Sequence, residues 1–148
     1  MSRALSAQRI LAYTVLTGAL VQFFLAGLAV FRAKPHDSDK FFQSSTFDPH
    51  RAVGYALILA SFALLVLAIV NRQQFRLAAL LFLLMLLQVG LAELGHKLAA
   101  VGALHPVNGV LIIVVAHFLT RAGRRSRRME REPPPQDEAP EAMPAFEE

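Results

Sequence analysis

The 148-residue sequence contains no cysteine. Without thiols the chain can form neither a disulfide framework nor an iron–sulfur centre, and it cannot attach a c-type haem covalently. Any haem in this chain would therefore be held by non-covalent ligation. The sequence also lacks a nucleophile–base set, a cluster of metal-ligating residues and a phosphate-binding glycine loop. It therefore predicts no catalytic activity of its own.

Polar residues are scarce in four long stretches of the chain, and 55% of all residues are hydrophobic. The stretches cover residues 10–31, 53–70, 77–95 and 107–120. A soluble bundle would carry polar stripes on its outer faces, whereas residues 56–70 contain a single polar side chain, Ser61. Runs of about 20 apolar residues are the length of a membrane-spanning helix. The sequence therefore predicts an all-α integral membrane protein, a bundle of four transmembrane helices.

The apolar stretches divide the chain into three parts. Residues 1–9 form a short basic N-terminus, and residues 10–122 form the membrane domain. Within that domain we predict spans at about 10–31, 50–71, 75–96 and 105–121. Residues 123–148 form a tail that is first basic and then acidic, with six acids and no base from residue 132 onward. The proline- and glutamate-rich composition of this tail predicts disorder, because it cannot bury enough apolar surface to fold.

Basic residues are distributed unequally between the two sides of this bundle. The side with both termini and the 71–76 turn has ten of them, and the other side has five. Because cytoplasmic segments carry the excess of lysine and arginine, both termini are predicted to be cytoplasmic. The arginine cluster after the last span then anchors the chain at an anionic leaflet, and we expect no nucleic-acid partner.

Two of the spans begin with the same short motif. His50 precedes Gly54, and His105 precedes Gly109, each with the spacing His-x-x-x-Gly. Because a helix turns by about 100° per residue, the histidine and the glycine of each motif share a face. Both spans run in the same direction, so the two imidazoles lie at one depth near the outer face. We predict that the imidazoles bind one cofactor and that the glycines let a flat ring approach the backbone.

The first and second helix pairs repeat this arrangement. Gln22 in span one and Gln88 in span three are each followed by a loop and a His-x-x-x-Gly helix. Two like hairpins in parallel orientation predict a pseudo-twofold axis along the membrane normal, with His50 and His105 facing each other across it. Gln22 and Gln88 are then candidates to hydrogen-bond a bound cofactor, or to join neighbouring helices.

Three further polar residues lie near the ends of the spans. Glu93 and His96, near the outer end of span three, are candidates to support a ligand histidine, or to bind a metal or pass a proton. Glu93 is also spaced to form a helix ion pair with Lys97. His117 lies near the other end of span four, where span two offers no polar partner, and we interpret it as an interfacial histidine.

Segments around these residues resemble known membrane proteins. Residues 21–27, 47–54 and 104–108 resemble a family of small, uncharacterised four-helix bacterial membrane proteins, and the resemblance covers residues 8–122. The pattern of His50 and His105 is more distantly similar to one half of haem A synthase and to other four-helix b-type cytochromes. This resemblance implies a bacterial plasma-membrane protein in which both histidines ligate haem b. The chain has only one such half and no match for that enzyme's catalytic glutamate, so the enzyme's reaction does not carry over.

Two functions stay open on these observations. The first is a haem b protein that transfers electrons or senses redox state through the two histidines. The second is a cofactor-free accessory subunit whose helices pack against a larger membrane complex, which agrees with the lack of catalytic motifs. A homodimer of eight helices fits either function, and the lipid bilayer is the expected surrounding of both.

Overall fold

The computed structural model describes residues 3–32 and 44–131, and the side chains of residues 5–32 and 44–122. Most of these residues are helical, and none of them lies in a strand. The helices are α1 (Arg3–Arg32), α2 (Asp48–Val70), α3 (Phe75–Gly95), the single turn α4 (Ala99–Gly102) and α5 (Leu104–Arg131). A 3-10 turn, Ser45–Phe47, leads into α2. The predicted all-α fold is confirmed.

Four of the helices are long and apolar enough to cross a membrane. The qualifying segments are Leu5–Arg32, Ser45–Val70, Phe75–Gly95 and Ala99–Ala122. Large apolar side chains such as Phe24, Leu59 and Leu83 point outward and are exposed. In water these surfaces would be a liability, but they fit contact with lipid tails. The structure is therefore that of a multi-pass membrane protein with a four-helix bundle, as predicted.

Each long helix packs against two others, in the order α1, α2, α3, α5 around the bundle. This order places α2 and α5 on one diagonal. Helix α1 runs antiparallel to α2, since Gln22 meets His50 at one end and Gln8 meets Asn71 at the other. Helices α3 and α5 are antiparallel in the same way. Helices α2 and α5 therefore run in one direction, and their first turns lie at the same end of the bundle.

The middle of the bundle is filled by one large apolar side chain from each long helix. All four are fully buried: Val15, Leu64, Leu81 and Leu119. Because lipid tails are as apolar as leucine, burial of this kind stabilises a membrane bundle through close packing rather than through removal from water. Gly18 shows how close the packing is, because a Cβ atom at that position would overlap the side chain of Leu57.

We call the two ends of the bundle the histidine end, which holds His50 and His105, and the turn end, which holds residues 71–74 between α2 and α3. The turn is tight, since Arg72 and Gln74 both adopt the left-handed conformation, with φ of 52° and 58°. The side chain of Gln8 in α1 stabilises this turn through two hydrogen bonds. Its Nε2 donates to the carbonyl of Gln73 at 3.3 Å, and its Oε1 accepts from Nδ2 of Asn71 at 2.8 Å.

The helices extend beyond the predicted spans at both termini. Helix α1 begins at Arg3 rather than at residue 10, and α5 continues to Arg131 rather than ending at 121. Apolar runs mark where a helix meets lipid, whereas arginine is itself a good helix former and lets the helix continue past that point. The first part of the predicted tail, 123–131, is thus helical, and its acidic part, 132–148, lies outside the described residues.

Candidate functional site: the histidine pair

The two histidines of the His-x-x-x-Gly motifs meet at the histidine end. His50 lies in the first turn of α2 and His105 in the first turn of α5. Their ring centroids are 6.2 Å apart, and the ring planes are tilted by 55°. Both side chains are half-buried. Because α2 and α5 lie diagonally across the bundle, the rings approach each other through its centre and no helix separates them.

Each ring is held from behind by a backbone carbonyl. Nδ1 of His50 lies 3.2 Å from the carbonyl oxygen of Gln22, and Nδ1 of His105 lies 3.1 Å from that of Gln88. A carbonyl can only accept, so Nδ1 carries the hydrogen and donates it in both rings. In the neutral imidazole this leaves Nε2 unprotonated, with its lone pair available. Histidines that ligate metals are commonly oriented in this way.

The amide side chains near the histidines join neighbouring helices. Nε2 of Gln22 donates to the carbonyl of His50 at 3.0 Å and so links α1 to α2. Nδ2 of Asn108 donates to Oε1 of Gln88 at 2.6 Å and to the carbonyl of Leu84 at 2.9 Å, linking α5 to α3. The carbonyl contacts of the two histidines are alike, but the side-chain contacts around them differ between the two hairpins.

Two buried oxygens at this end have no hydrogen-bond donor among the described residues. They are Oε1 of Gln22 and Oδ1 of Asn108. An unsatisfied buried acceptor costs about 1–3 kcal/mol. Together with the two Nε2 atoms, these oxygens make the site rich in lone pairs. Such a site suits a metal ion at the imidazoles and hydrogen-bond donors at the amides.

The predicted glycine positions are covered by side chains. A Cβ atom on Gly54 would lie 2.9 Å from Nε2 of Gln22, and one on Gly109 would lie 3.1 Å from Cζ of Phe23 and 3.6 Å from Nε2 of Gln88. A flat ring could therefore pack on these glycines only after the Gln22 amide and the Phe23 ring rotated away. Both movements are side-chain rotations that need no change of backbone, but rotation of Gln22 breaks its hydrogen bond to the His50 carbonyl.

The remaining predicted residues are exposed, unlike the pair. Glu93 and His96 are exposed where α3 ends. Among the described residues, no three histidine or carboxylate side chains come close enough to hold a metal ion, so neither residue joins the pair in such a group. His117 is exposed near the turn end, where its ring lies 6.4 Å from that of Phe118.

Two residues of the site were missed in the sequence. Asn108 is the single polar side chain of residues 106–116, and it lies three residues after His105, so it shares the face of that histidine. This spacing could have identified it. Phe23 covers Gly109 from another helix, and nothing distinguishes it in sequence from the ten other phenylalanines.

Comparison of the chain with protein-family models, with curated proteins and with solved structures gave no match. The predicted resemblance to haem A synthase and to b-type cytochromes therefore stays a prediction, and the functional interpretation depends on the geometry of the histidine pair.

Proposed function

We propose that this membrane protein binds one haem b, with His50 and His105 as its two axial ligands, and that it transfers electrons or senses redox state. The observation that carries the proposal is the paired orientation of the imidazoles. Both rings donate through Nδ1 to a backbone carbonyl, and both therefore have a free Nε2 at the same level of the bundle.

The distance between the rings supports two ligands on one ion. An imidazole nitrogen lies about 1.1 Å from its ring centre and about 2 Å from a metal that it binds, so two rings on opposite sides of one ion have centroids about 6 Å apart. The observed separation of 6.2 Å agrees with this value. The carbonyls of Gln22 and Gln88 would keep both rings from rotating away from the metal.

Haem binding would require a local adjustment of two side chains around the pair. Gln22 and Phe23 would turn away from the glycines and expose them to the porphyrin face. Oε1 of Gln22 and Oδ1 of Asn108 would be available to accept hydrogen bonds from a water molecule or from a donor group of the ligand. When bound, the iron supplies reversible one-electron chemistry. The protein fixes the ligands, and the apolar middle of the bundle keeps water away from the inner face of the site.

The proposal includes a location. The excess of basic residues on the side of the termini supports an orientation with both termini in the cytoplasm, and in a bacterial plasma membrane the histidine end would then lie near the outer face. An electron carrier outside the membrane would then reach the site without crossing the bilayer.

The direct test is the absorption spectrum of the full chain purified in mild detergent from haem-replete cells. We expect a Soret band and the visible bands of a haem with two histidine ligands. The variants His50→Ala and His105→Ala should lose bound haem almost completely, because both histidines are needed to hold the iron. His117→Ala is the matched control, since it removes an exposed histidine at the other end, and it should keep the spectrum.

Folding is followed separately by circular dichroism and gel filtration. A wild-type protein that is folded and yet takes up no haem when titrated with haemin would overturn the proposal. The same holds if His50→Ala and His105→Ala, still folded, bind haemin as tightly as the wild type. A stoichiometric protein partner that copurifies with colourless wild type and with both variants would instead support the accessory-subunit function.

A further inference from the structure

An open cavity lies at the turn end, between the start of α3 and the last apolar turn of α5. It is a groove of about 320 Å³, open to the side of the bundle and lined by Leu77, Phe118, Arg121 and Ala122. This volume is at the lower end of the range of small-molecule sites, about 300–1,000 Å³. Three of the lining residues are apolar and the fourth is a cation.

The groove crosses the boundary of the apolar segment. The apolar run of α3 begins at Leu77, and the apolar run of α5 ends at Thr120. Leu77 and Phe118 therefore belong to the apolar runs, whereas Arg121 directly follows one of them, a position typical of a cation at the polar layer of a bilayer. Phe118 is 54% exposed, so its ring forms an open wall that lipid can reach. Arg121 is also exposed.

We propose that this groove binds one acyl chain of an anionic phospholipid whose phosphate pairs with Arg121. An arginine side chain matches phosphate in geometry and charge, because its planar guanidinium can donate two parallel hydrogen bonds. The exposed Arg76, next to Leu77, adds positive charge at the same level. The site is independent of the histidine pair, and its test does not depend on haem.

The apolar floor favours a lipid over a free phosphate ion. An ion would use Arg121 alone and would leave Leu77 and Phe118 uncovered. A phospholipid covers these side chains with its acyl chain while its headgroup remains in the polar layer. Arg121 would thus meet the headgroup of the lipid, and the apolar side chains would meet its acyl chain, which is the arrangement expected at a membrane boundary.

The test is native mass spectrometry of the full chain in detergent with phosphatidylglycerol or phosphatidylcholine of identical acyl chains. Since one arginine near an anionic headgroup contributes about 1 kcal/mol, wild type should retain phosphatidylglycerol about fivefold better than phosphatidylcholine. Arg121→Gln should remove most of this preference, leave only the smaller contribution of Arg76, and weaken the retention of phosphatidylglycerol. Arg72→Gln is the matched control, because it removes the same charge from the neighbouring turn without lining the groove, and it should keep the preference.

A second variant tests the apolar part. Ala122→Phe fills the groove and should reduce retention of both lipids, whatever their headgroup. Arg121→Gln with an unchanged preference would overturn the proposal, as would inorganic phosphate that displaces phosphatidylglycerol at equal concentration. Wild type that binds neither lipid until residues 132–148 are removed would assign the groove to the acidic tail and would also overturn it.

Discussion

Two glutamines on α1 show the difference between the ends of the bundle. At the turn end, Gln8 uses both atoms of its amide, since its nitrogen donates to Gln73 and its oxygen accepts from Asn71. At the histidine end, Gln22 donates through its nitrogen to His50, but its buried oxygen has no donor among the described residues. Two glutamines of one helix thus differ: Gln8 has both amide atoms paired, whereas Gln22 keeps an acceptor that a ligand could use.

The unpartnered buried atoms at the two ends also differ in kind. At the histidine end they are acceptors on Gln22 and Asn108, next to two imidazoles with free lone pairs. At the turn end, within the part of the chain whose side chains are described, the unpartnered atom is a donor, Nε of Arg9, on a long side chain that can reach the membrane surface. In this bundle, polar side chains whose donors and acceptors are all paired have a structural role. Buried acceptors that lack a donor instead indicate a candidate binding site.

The largest expected effect concerns the connection at the histidine end. A Cβ atom on Gly95 would lie 2.7 Å from the Cα of Gly102, where the obstacle is backbone and cannot rotate away. Gly95→Ala should lower the free energy of unfolding by about 2 kcal/mol, within the usual range for overpacking. Unfolding in mixed detergent, followed by circular dichroism, measures it. Gly90→Ala is the control, because nothing lies within 4 Å of its Cβ position; equal losses in both would contradict the close contact.

The next effect tests the closed network of the turn end. Gln8→Leu removes a donor and an acceptor together and leaves Asn71 and the Gln73 carbonyl without partners. We expect a loss of about 1–2 kcal/mol in the free energy of unfolding and no change in any haem spectrum. In a double-mutant cycle with Asn71→Leu, the two losses should not add, because both break one hydrogen bond. Additive losses would show that the two side chains act independently.

A smaller effect is expected from the same substitution at the histidine end. Gln22→Leu loses one hydrogen bond to the His50 carbonyl, but it also removes a buried oxygen that had no donor. The net cost should be about 0.6 kcal/mol or less, the mean for hydrogen bonds between membrane helices. In the haem-bound protein the same variant should shift the reduction potential, which Gln8→Leu should leave unchanged. A cost in stability above that of Gln8→Leu would reverse the contrast between the ends.

The smallest effect separates two glycines of α1. Gly27 has nothing within 4 Å of its Cβ position, whereas a Cβ atom on Gly18 would overlap Leu57. Gly27→Ala should stabilise the protein by about 0.5 kcal/mol, because alanine restricts the unfolded chain. Gly18→Ala should not stabilise, since Leu57 must move to make room. Thermal unfolding of both variants in one detergent measures the direction of the change in stability. A destabilised Gly27→Ala would contradict the free space around the Cβ position of Gly27.

Much of this architecture was predictable because it follows from local patterns. The apolar runs located all four long helices, and the helical period placed His50 with Gly54 and His105 with Gly109. Their common level followed from the alternating direction of successive spans. Contacts between helices were not predictable in the same way, since the backbone carbonyls of Gln22 and Gln88, rather than their side chains, hold the imidazoles. A sequence gives no signal for a carbonyl, because every residue has one.

The diagonal position of α2 and α5 has a consequence for the stability of the whole chain. His50 and His105 belong to different hairpins and are separated by 55 positions of sequence. An ion bound by both rings would link the two hairpins, as a disulfide bond does in a secreted protein. The chain has no cysteine to form such a bond. Ligand binding would then stabilise the folded protein and raise its melting temperature. The free energy of unfolding would increase by about 1.4 kcal/mol for each tenfold excess of free ligand over its dissociation constant.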